Sequence, residues 1–234
     1  MPGKIYLIPS TISDEPPDKF IPVYITSLIN NINYYIVENE RSGRRMLIKL
    51  GLKTPIENLK FFILDKHTDR SELPLFVDSA NNNDIGLLSE AGVPAIADPG
   101  SEVVLLAHKR NIEVVPLVGP SSVIMAMMAS GLNGQNFAFN GYLPVKSHER
   151  AGKLKQLEQL SAAENQSQIF IETPYRNNQL LADILKVCSE STLLCIATDI
   201  TTQSSMIKTK SIADWRKNNP DINKRPTIFI LHKK

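Results

Sequence analysis

Short apolar runs alternate with stretches of helical periodicity through the first half of the chain. Residues 4–8, 34–37 and 85–88 have the length and composition of buried strands. Between such runs, as in residues 103–107, apolar side chains recur at spacings of three and four, which is typical of one face of a helix. Alternating strands and helices predict a parallel sheet, so we expect an α/β domain in this half.

The predicted elements of this domain end near residue 118. Asp18 is expected to cap its first helix, and Gly51 to end the second. The strands are expected at residues 4–8, 34–37, 61–64, 85–88 and 114–118, and the helices at residues 18–31, 42–50, 73–79 and around 103–107.

The pattern changes after Gly119 and Pro120. The next predicted helix, residues 123–130, is apolar on nearly every side, which is typical of a buried helix. Further helices are expected at residues 149–160, 178–187 and 212–217, and strands at residues 137–140, 169–171, 193–197, 206–208 and 227–231. We therefore expect two α/β domains, residues 1–118 and 119–234, facing each other across a cleft.

The segment from Ser89 to Gly100 directly follows the predicted strand 85–88. It contains two glycines and two prolines in twelve residues, together with the carboxylates of Glu90 and Asp98. Glycine lets the backbone approach a ligand closely, and proline fixes the shape of a loop. Ligands of open parallel sheets bind beyond the carboxyl ends of the strands. This segment is therefore the predicted ligand site.

Composition excludes several classes of protein. The chain has 234 residues and a net charge of +2, too small an excess to indicate a nucleic-acid partner by itself. Its two cysteines and four scattered histidines lack the number and spacing of a disulfide framework or a zinc site, so we expect no metal. No apolar run approaches the roughly 20 residues that span a bilayer, and we find no signal peptide. We expect a cytoplasmic protein without membrane contact.

Three common motifs are absent from the sequence. There is no G-x-x-x-x-G-K-[ST] phosphate loop, no G-x-G-x-x-G after the first strand and no G-x-S-x-G nucleophile elbow. The chemistry then has to come from the Pro-rich loop after the first strand, the acidic turn after the second strand, and Ser89 to Gly100.

The segment from Ser89 to Gly100 resembles the signature loop of the tetrapyrrole-methylase superfamily, the class III S-adenosylmethionine-dependent methyltransferases. It is most similar to the branch that methylates a ribose 2′-hydroxyl of small-subunit ribosomal RNA, whose loop reads Ser-Asp-Ala-Gly-Thr-Pro-x-Ile-Ser-Asp-Pro-Gly. Other blocks match in the same order: Glu38 and Arg41, then residues 115–122, 129–132, 139–144 and 170–176. The resemblance spans nearly the whole chain.

Three segments depart from the pattern of that branch. The family's first loop, Pro-Ile-Gly-Asn-Leu-Gly-Asp, is here replaced by residues 9–14, Pro-Ser-Thr-Ile-Ser-Asp. Its Glu-Asp-Thr-Arg is here Glu-Asn-Glu-Arg at residues 38–41, and its charged Arg-Glu-Leu-Thr-Lys segment corresponds to residues 198–205, which have lost most of those charges. The cofactor loop therefore matches the pattern of that branch more closely than the segments that face the acceptor do.

The resemblance implies an α/β fold of two tetrapyrrole-methylase-type domains, the first with a mostly parallel sheet and the second with a mixed sheet. It also implies a homodimer, a ribosomal RNA partner, and S-adenosylmethionine in the cleft between the domains. Carried over by position, the cofactor contacts are Pro9, Ser89, Glu90, Ala91, Gly92, Ala95, Ile96, Ala97, Asp98, Ser121, Ser122, Tyr142, Phe170, Ile171, Ala197, Pro226 and Thr227.

A ribose hydroxyl is a poor nucleophile, so methyl transfer to it requires a base or a deprotonating environment. We expect Glu38 to be the base, with Glu40, Asp14 and Glu172 as alternatives. Asp98 has a second interpretation as a helix cap, since Asp is a favoured capping residue.

Basic residues give a candidate RNA surface, although a solvated helix face and local ion pairs are the alternatives. Steep salt dependence of binding would indicate RNA phosphate contacts. The candidates are Arg41, Arg44, Arg45, Lys146, Arg150 and Arg176.

Three functions are consistent with these observations. The first is an RNA 2′-O-methyltransferase, which the basic clusters favour. The second is a methylase of a tetrapyrrole-like small molecule. The third is an S-adenosylmethionine-binding protein without acceptor activity, which the altered segment 198–205 raises.

Overall fold

The structure is a computed structural model that describes residues 3–234. The chain divides into two compact units, Met1–Ser121 and Ser122–Lys234. Within the described residues, each unit is built on a sheet of five strands.

The first unit is a parallel sheet whose connections contain the helices. Its strand order is β3-β2-β4-β1-β5, and all neighbouring pairs are parallel, which confirms the predicted sheet. The strands are β1 (Ile5–Ile8), β2 (Tyr34–Val37), β3 (Lys60–Ile63), β4 (Ile85–Leu88) and β5 (Val114–Pro116), and the helices are α1 (Tyr24–Ile29), α2 (Glu40–Lys49), α3 (Leu73–Asp78) and α4 (Gly100–Lys109).

The register of this sheet brings the carboxyl ends of three strands together. Ile8 of β1 pairs with Leu88 of β4, and Leu88 also pairs with Val37 of β2. The loops that follow β1, β2 and β4 therefore begin side by side at one edge of the sheet.

Side chains on the two faces of this sheet form two hydrophobic cores. Tyr35 and Val37 pack on one face with residues of α1 and α2, whereas Ile36 packs on the other face with residues of α3 and α4. This alternation is the two-residue period of a strand. All residues of β4 are buried, as expected for a central strand covered by helices on both faces.

The second unit is built on a mixed sheet. Its strand order is β6-β7-β10-β8-β9, in which β6 and β7 are parallel and the other neighbouring pairs are antiparallel. The strands are β6 (Phe137–Tyr142), β7 (Ser167–Ile171), β8 (Leu193–Thr198), β9 (Met206–Ser211) and β10 (Thr227–His232), and the helices are α5 (Ser122–Ser130), α6 (Ser147–Glu164), α7 (Asn177–Val187) and α8 (Ile212–Lys217).

One face of this second sheet carries the core of the unit. Phe170 of β7, Ile196 of β8 and Phe229 of β10 belong to one cluster with residues of α6, α7 and α8. Buried Trp215 of α8 completes the core, and its indole Nε1–H donates a hydrogen bond to the Leu194 carbonyl oxygen over 2.8 Å.

Most predicted elements are present with bounds shifted by a few residues, and the largest differences concern the first helix and β9. The expected helix 18–31 is wrong: Pro17–Lys19 forms a separate 3-10 turn, α1 begins only at Tyr24, and Asp18 does not cap it. Pro22 explains the break, because proline restricts the residue before it and lacks an amide hydrogen. Strand β9 is longer than expected and pairs with β8 at all of its six residues.

Among the described residues, none of the helices combines the length and the hydropathy needed to cross a membrane.

We expect Gly86→Ala to destabilise the first unit. A Cβ at this position would lie 2.6 Å from Tyr35 Cε1 and 2.7 Å from Ile8 Cδ1, and both side chains are fully buried. Overpacking of this kind lowers the free energy of unfolding by about 1–3 kcal/mol, which urea denaturation measures.

Gly152→Ala in α6 is the matched control. No heavy atom lies within 4 Å of its new Cβ, so the same change should raise stability by about 0.5–1 kcal/mol through helix propensity. A Gly86→Ala protein at least as stable as the unaltered chain would contradict the packing described around β4.

Candidate active site

The candidate active site lies where β1, β2 and β4 end. Pro9 and Ser10 follow β1, Glu38 follows β2, and Ser89 follows β4. Parallel pairing in register brings these positions together, so the sequence-predicted ligand segment and the predicted base share one sheet edge.

A backbone bridge fixes the first part of this segment. The Ser10 amide donates to the Gly92 carbonyl oxygen at 2.8 Å, and the Gly92 amide donates to the Ser10 carbonyl oxygen at 3.2 Å. The buried Ser10 hydroxyl donates to the Ser89 carbonyl oxygen at 2.7 Å. Gly92 has a φ of +75°, and a Cβ there would lie 3.2 Å from the Pro120 carbonyl oxygen. This position therefore favours glycine.

The second part of the segment is a strained turn. Ala95 and Ala97 have φ values of +66° and +62°, a region that costs an L-residue roughly 1–2 kcal/mol. The Asp98 carboxylate holds the turn, because its Oδ1 accepts hydrogen bonds from the amides of Ala95 at 2.9 Å and Gly100 at 2.7 Å. Gly100 is the first residue of α4, so Asp98 also contacts the start of that helix, whose N-cap position is Pro99. Strain of this kind tends to cluster at functional sites.

The strained turn leaves its apolar side chains in solvent. Ile96 is 54% exposed, and Ala97 is also exposed. The exposed apolar side chain can contact the base of a nucleoside, and the backbone groups of the fixed turn can form hydrogen bonds with its polar groups.

Glu38 lies among other carboxylates. Its Oε1 accepts a hydrogen bond from the Glu90 amide at 3.3 Å, and the Ser42 hydroxyl donates to the Glu90 carboxylate. Burial raises the pKa of Glu38, and the negative charges of Asp98 and Glu90 raise it further. Burial also raises the pKa of Asp98, against the lowering effect of its two backbone hydrogen bonds. A carboxylate with a raised pKa is a stronger base.

Glu38 also faces open space. It lines a cavity of about 370 Å³, whose other lining residues are Asn39, Asp65, Lys66, Arg70, Glu90 and Pro99. Glu38 is therefore placed where an acceptor group can reach it.

The alternative bases are placed differently. Glu40 pairs with Arg44 on α2, and Glu172 is buried in the second unit, where its Oε1 accepts hydrogen bonds from the Thr173 amide and from Arg176. Asp14 is exposed and lines a separate, larger cavity. Glu38 therefore has the partly buried, negatively charged surroundings expected of a catalytic base, whereas Glu40 and Glu172 are held in ion pairs.

Several predicted cofactor contacts of the second unit lie in one row across its sheet. Tyr142 pairs with Ile171, Ile171 with Ile228, and Ile228 with Ala197. Tyr142 is 60% exposed, whereas Ala197 is buried. Thr227 begins β10 at the same edge, so these predicted contacts share one end of the second sheet.

The remaining predicted contacts are Ser121, the last residue of the first unit, and Ser122, Phe170 and Pro226 of the second unit. Ser121 and Ser122 stand at the start of α5, and Pro226 immediately precedes β10. Phe170 is fully buried and stacks on Phe229 with ring centroids 5.9 Å apart. Its side chain therefore belongs to the core of the second unit, so only its backbone is available to a cofactor.

The basic candidates fall into three groups. Arg41 and Arg45 are exposed, and neither forms an ion pair within residues 3–234. Arg44, Lys146 and Arg176 are engaged by the nearby carboxylates of Glu40, Glu149 and Glu172, respectively.

Arg150 is the third group by itself. Its side chain is 1% exposed, pairs with Asp183, and donates to the carbonyl oxygens of Pro144 and Val145 at 3.2 and 2.8 Å. It joins α6 to α7 inside the second unit and is not available to an RNA phosphate.

Sequence reasoning missed two members of this site. Ser10 and Ser42 carry hydrogen bonds that position Ser89 and Glu90, respectively. The short spacing of Asn39 and Ser42 is a capping signal that could have indicated the start of α2, since the Asn39 side chain accepts from the Ser42 amide. Nothing local signals the Ser10 contact, which joins residues 79 positions apart. In the part of the chain that the structure describes, no group of three or more His, Cys, Asp or Glu residues could hold a metal ion.

Comparison with known proteins gave long matches. No family model matches the chain. A protein of Pasteurella multocida named ribosomal RNA small subunit methyltransferase I is 30% identical over 212 residues, covering 89% of this chain and 72% of the relative. Proteins of the same name from Vibrio cholerae and Escherichia coli O157:H7 are each 28% identical, covering 97% and 98% of this chain and 76% and 77% of those relatives.

Solved structures with a similar fold include two methyltransferases. The methyltransferase CobJ matches with a TM-score of 0.63 at 16% identity, covering 99% of this chain and 94% of that chain. The cobalt precorrin-4 methyltransferase CbiF matches with a TM-score of 0.59 at 15% identity, covering 98% and 94%. At this identity the likeness concerns the fold, and it confirms the predicted two-sheet α/β architecture.

We expect Asp98→Ala to open the turn after β4. Two backbone amides would lose their acceptor, which should lower the free energy of unfolding by about 1–3 kcal/mol in urea denaturation. Asp98→Asn is the matched variant, because its amide oxygen can still accept both hydrogen bonds, and it should cost less. Equal stability of Asp98→Ala and the unaltered protein would show that the carboxylate does not hold the turn.

Proposed function

The chain belongs to the ribosomal RNA small subunit methyltransferase I family, and on that premise we propose that it transfers a methyl group from S-adenosylmethionine to a ribose 2′-hydroxyl of small-subunit ribosomal RNA. The similarity to the Pasteurella multocida protein over 89% of this chain is the observation that carries the proposal. Membership of the family also confirms the resemblance noted in the sequence, and the protein is a methyltransferase.

The residues at the candidate site have the apolar and polar groups that binding of S-adenosylmethionine requires. The first unit offers an exposed apolar side chain, Ile96, beside a backbone turn closed by Asp98, and the carboxylate of Glu90 suits a positively charged ligand. When bound, this cofactor supplies a methyl group carried on a sulfonium. The proposed contacts are Pro9, Ser89, Glu90, Ala91, Gly92, Ala95, Ile96, Ala97 and Asp98 in the first unit, and Ser121, Ser122, Tyr142, the Phe170 backbone, Ile171, Ala197, Pro226 and Thr227.

We propose Glu38 as the general base. Burial raises the pKa of its carboxylate, so Glu38 takes a proton from a hydroxyl more readily than an ordinary glutamate does. The Glu90 amide holds Glu38 Oε1, and the Ser42 hydroxyl holds the Glu90 side chain. The hydroxyl proton passes to Glu38 and then to solvent. The departing sulfur is neutral, so the chain needs no acid for that step.

The proposed RNA acceptor also bears on the location of the protein, its assembly and its RNA contacts. A chain that methylates ribosomal RNA works in the cytoplasm, and we propose a homodimer as its assembly, which sedimentation analysis would test. Exposed Arg41 and Arg45, together with Lys146, Arg44 and Arg176, are the proposed RNA contacts, and Arg150 is left out because it is buried.

Two other functions are the alternatives to RNA methylation. The solved methyltransferases whose names contain uroporphyrin-III and cobalt precorrin-4 are 13% and 15% identical, which supports the fold and not the acceptor. In the altered segment 198–205, Asp199 pairs with Arg225, and the Thr202 hydroxyl donates to the Asp199 carbonyl oxygen at 2.9 Å. Two polar groups of the segment are thus engaged within the second unit, and the family's charged residues are missing from it. A protein that binds the cofactor without acceptor activity is therefore the second alternative.

The test is a transfer assay with radiolabelled S-adenosylmethionine. Small ribosomal subunits, free small-subunit ribosomal RNA and a tetrapyrrole are incubated separately with the full chain. We expect label in the RNA, stable to alkali as a 2′-O-methylated dinucleotide. Label in the tetrapyrrole alone would establish the second function, and label nowhere despite calorimetric binding of the cofactor would establish the third.

Glu38→Gln should lower kcat for RNA methylation by about 10²–10⁴-fold, because the amide cannot accept the proton. Cofactor affinity, measured by calorimetry, should stay the same. The unaltered protein loses kcat as pH falls through the pKa of Glu38, which lies above its ordinary value, and this acidic limb should be absent from the variant.

Glu57→Gln is the control for this prediction, since Glu57 is exposed in a 3-10 turn away from the carboxylates of the site. It should leave both kcat and the pH profile unchanged. A Glu38→Gln protein with full activity and an unaltered acidic limb would rule out Glu38 as the base.

A further inference from the structure

A second open cavity of the first unit does not include Glu38 and shares only Glu90 and Ala91 with the proposed cofactor contacts. Its volume is about 730 Å³, within the roughly 300–1,000 Å³ typical of small-ligand sites. Three segments contribute to it: the loop after β1, one side of α2, and the first residues after β4. The lining residues are Thr11, Ile12, Ser13, Asp14, Ser42, Arg45, Met46, Ile48, Lys49, Glu90 and Ala91.

Helix α2 presents a stripe of side chains to this cavity. Ser42, Arg45, Met46 and Lys49 are spaced three or four residues apart, so they lie on one side of the helix. The opposite side is buried at Leu47. The cavity therefore receives two cations that lie one helical turn apart.

These two cations differ from Arg44 of the same helix. Arg44 is paired with Glu40, and its guanidinium carbon lies 5.3 Å from the centre of the Phe61 ring. Arg45 and Lys49 are both exposed and form no ion pair within residues 3–234. Their charges are thus available to an anion.

The cavity is divided by charge. The cations stand on α2, whereas the carboxylates of Asp14 and Glu90 stand on the two loops. Ile48 of α2 also lines the cavity and is 61% exposed, so it adds an apolar side chain to the charged ones. A ligand that suits this division has an anionic group at one end, an apolar ring in the middle, and hydroxyl or amino donors for the carboxylates.

We propose that this cavity binds one nucleotide of the RNA substrate, with its phosphate at Arg45 and Lys49 and its base against Ile48. This inference rests on the proposed function, because it states where the RNA acceptor of that function binds. Glu90 joins the two sites, since its side chain lines the cavity while its amide donates to Glu38 over 3.3 Å. The nucleotide bound in this cavity is therefore the methylated nucleotide, whose 2′-hydroxyl reaches Glu38, or its direct neighbour in the RNA.

The test compares a double variant, Arg45→Ala with Lys49→Ala, against the unaltered full chain. The probe is a short fluorescein-labelled single-stranded RNA, titrated by anisotropy over a series of salt concentrations. We expect the affinity for RNA to fall at least about tenfold, since charge-assisted contacts to phosphate are lost. The slope of log K against log salt should shrink by about 0.7 for each phosphate contact removed.

The control is a second double variant of equal charge, Lys109→Ala with Lys186→Ala. Both lysines are exposed and line no described cavity that the proposal uses. It should bind RNA as the unaltered protein does. Thermal unfolding of both variants shows whether they are folded, and Arg45→Lys with Lys49→Arg should restore most of the affinity for RNA.

The outcomes separate this inference from the proposed function. Methylation with an increased KM for RNA, an unchanged kcat and unchanged calorimetric affinity for S-adenosylhomocysteine supports the cavity. RNA affinity equal in the two double variants overturns it, and so does loss of S-adenosylhomocysteine affinity without loss of RNA affinity. A wild-type protein that methylates no RNA refutes the proposed function, whereas a specific loss of RNA binding in the Arg45 and Lys49 variant would still support the nucleotide site.

Discussion

The hydrogen bonds that Asp98 accepts from Ala95 and Gly100 are the contacts on which the candidate site depends. They compensate a turn in which Ala95 and Ala97 both hold positive φ values, a conformation that L-alanine does not favour. The same turn exposes Ile96 and starts α4. The charge of Asp98 also helps to raise the pKa of Glu38, so one carboxylate influences both the shape of the ligand turn and the basicity beside it.

The order of the strands explains why these groups meet. Strand β4 lies between β1 and β2, so the turn that follows it has the β1 loop on one side and Glu38 on the other. The Ser10–Gly92 bridge makes the first contact, and the Glu90 amide makes the second. A parallel sheet places the carboxyl ends of its strands at one edge, where loops of different sequence can vary without disturbing the cores on the two faces. The departures of residues 9–14 from the family pattern are of this kind, because they lie in a loop and not in a strand.

Local patterns predicted most of the elements, and long-range contacts account for what they missed. Strands β2 and β4 were expected at their observed bounds, because apolar runs of that length bury themselves in a parallel sheet. The first helix was expected too long, since Pro22 outweighs the periodicity around it. The sequence does not distinguish Arg150 from an exposed basic residue. Its partner, Asp183, is brought to it only by the packing of α6 on α7. The motif of the Ser89–Gly100 segment predicted a functional turn at the position where the structure has the strained turn, whereas the cavity beside α2 is formed by three segments that are distant in the chain.

A crystal structure of the protein soaked with S-adenosylhomocysteine, the demethylated form of the proposed cofactor, tests the central claim most directly. The account predicts density for the nucleoside within hydrogen-bond distance of the backbone at residues 95–98, with the Asp98 carboxylate still bonded to Ala95 and Gly100. Density for the ligand elsewhere, with this turn bare, would contradict it.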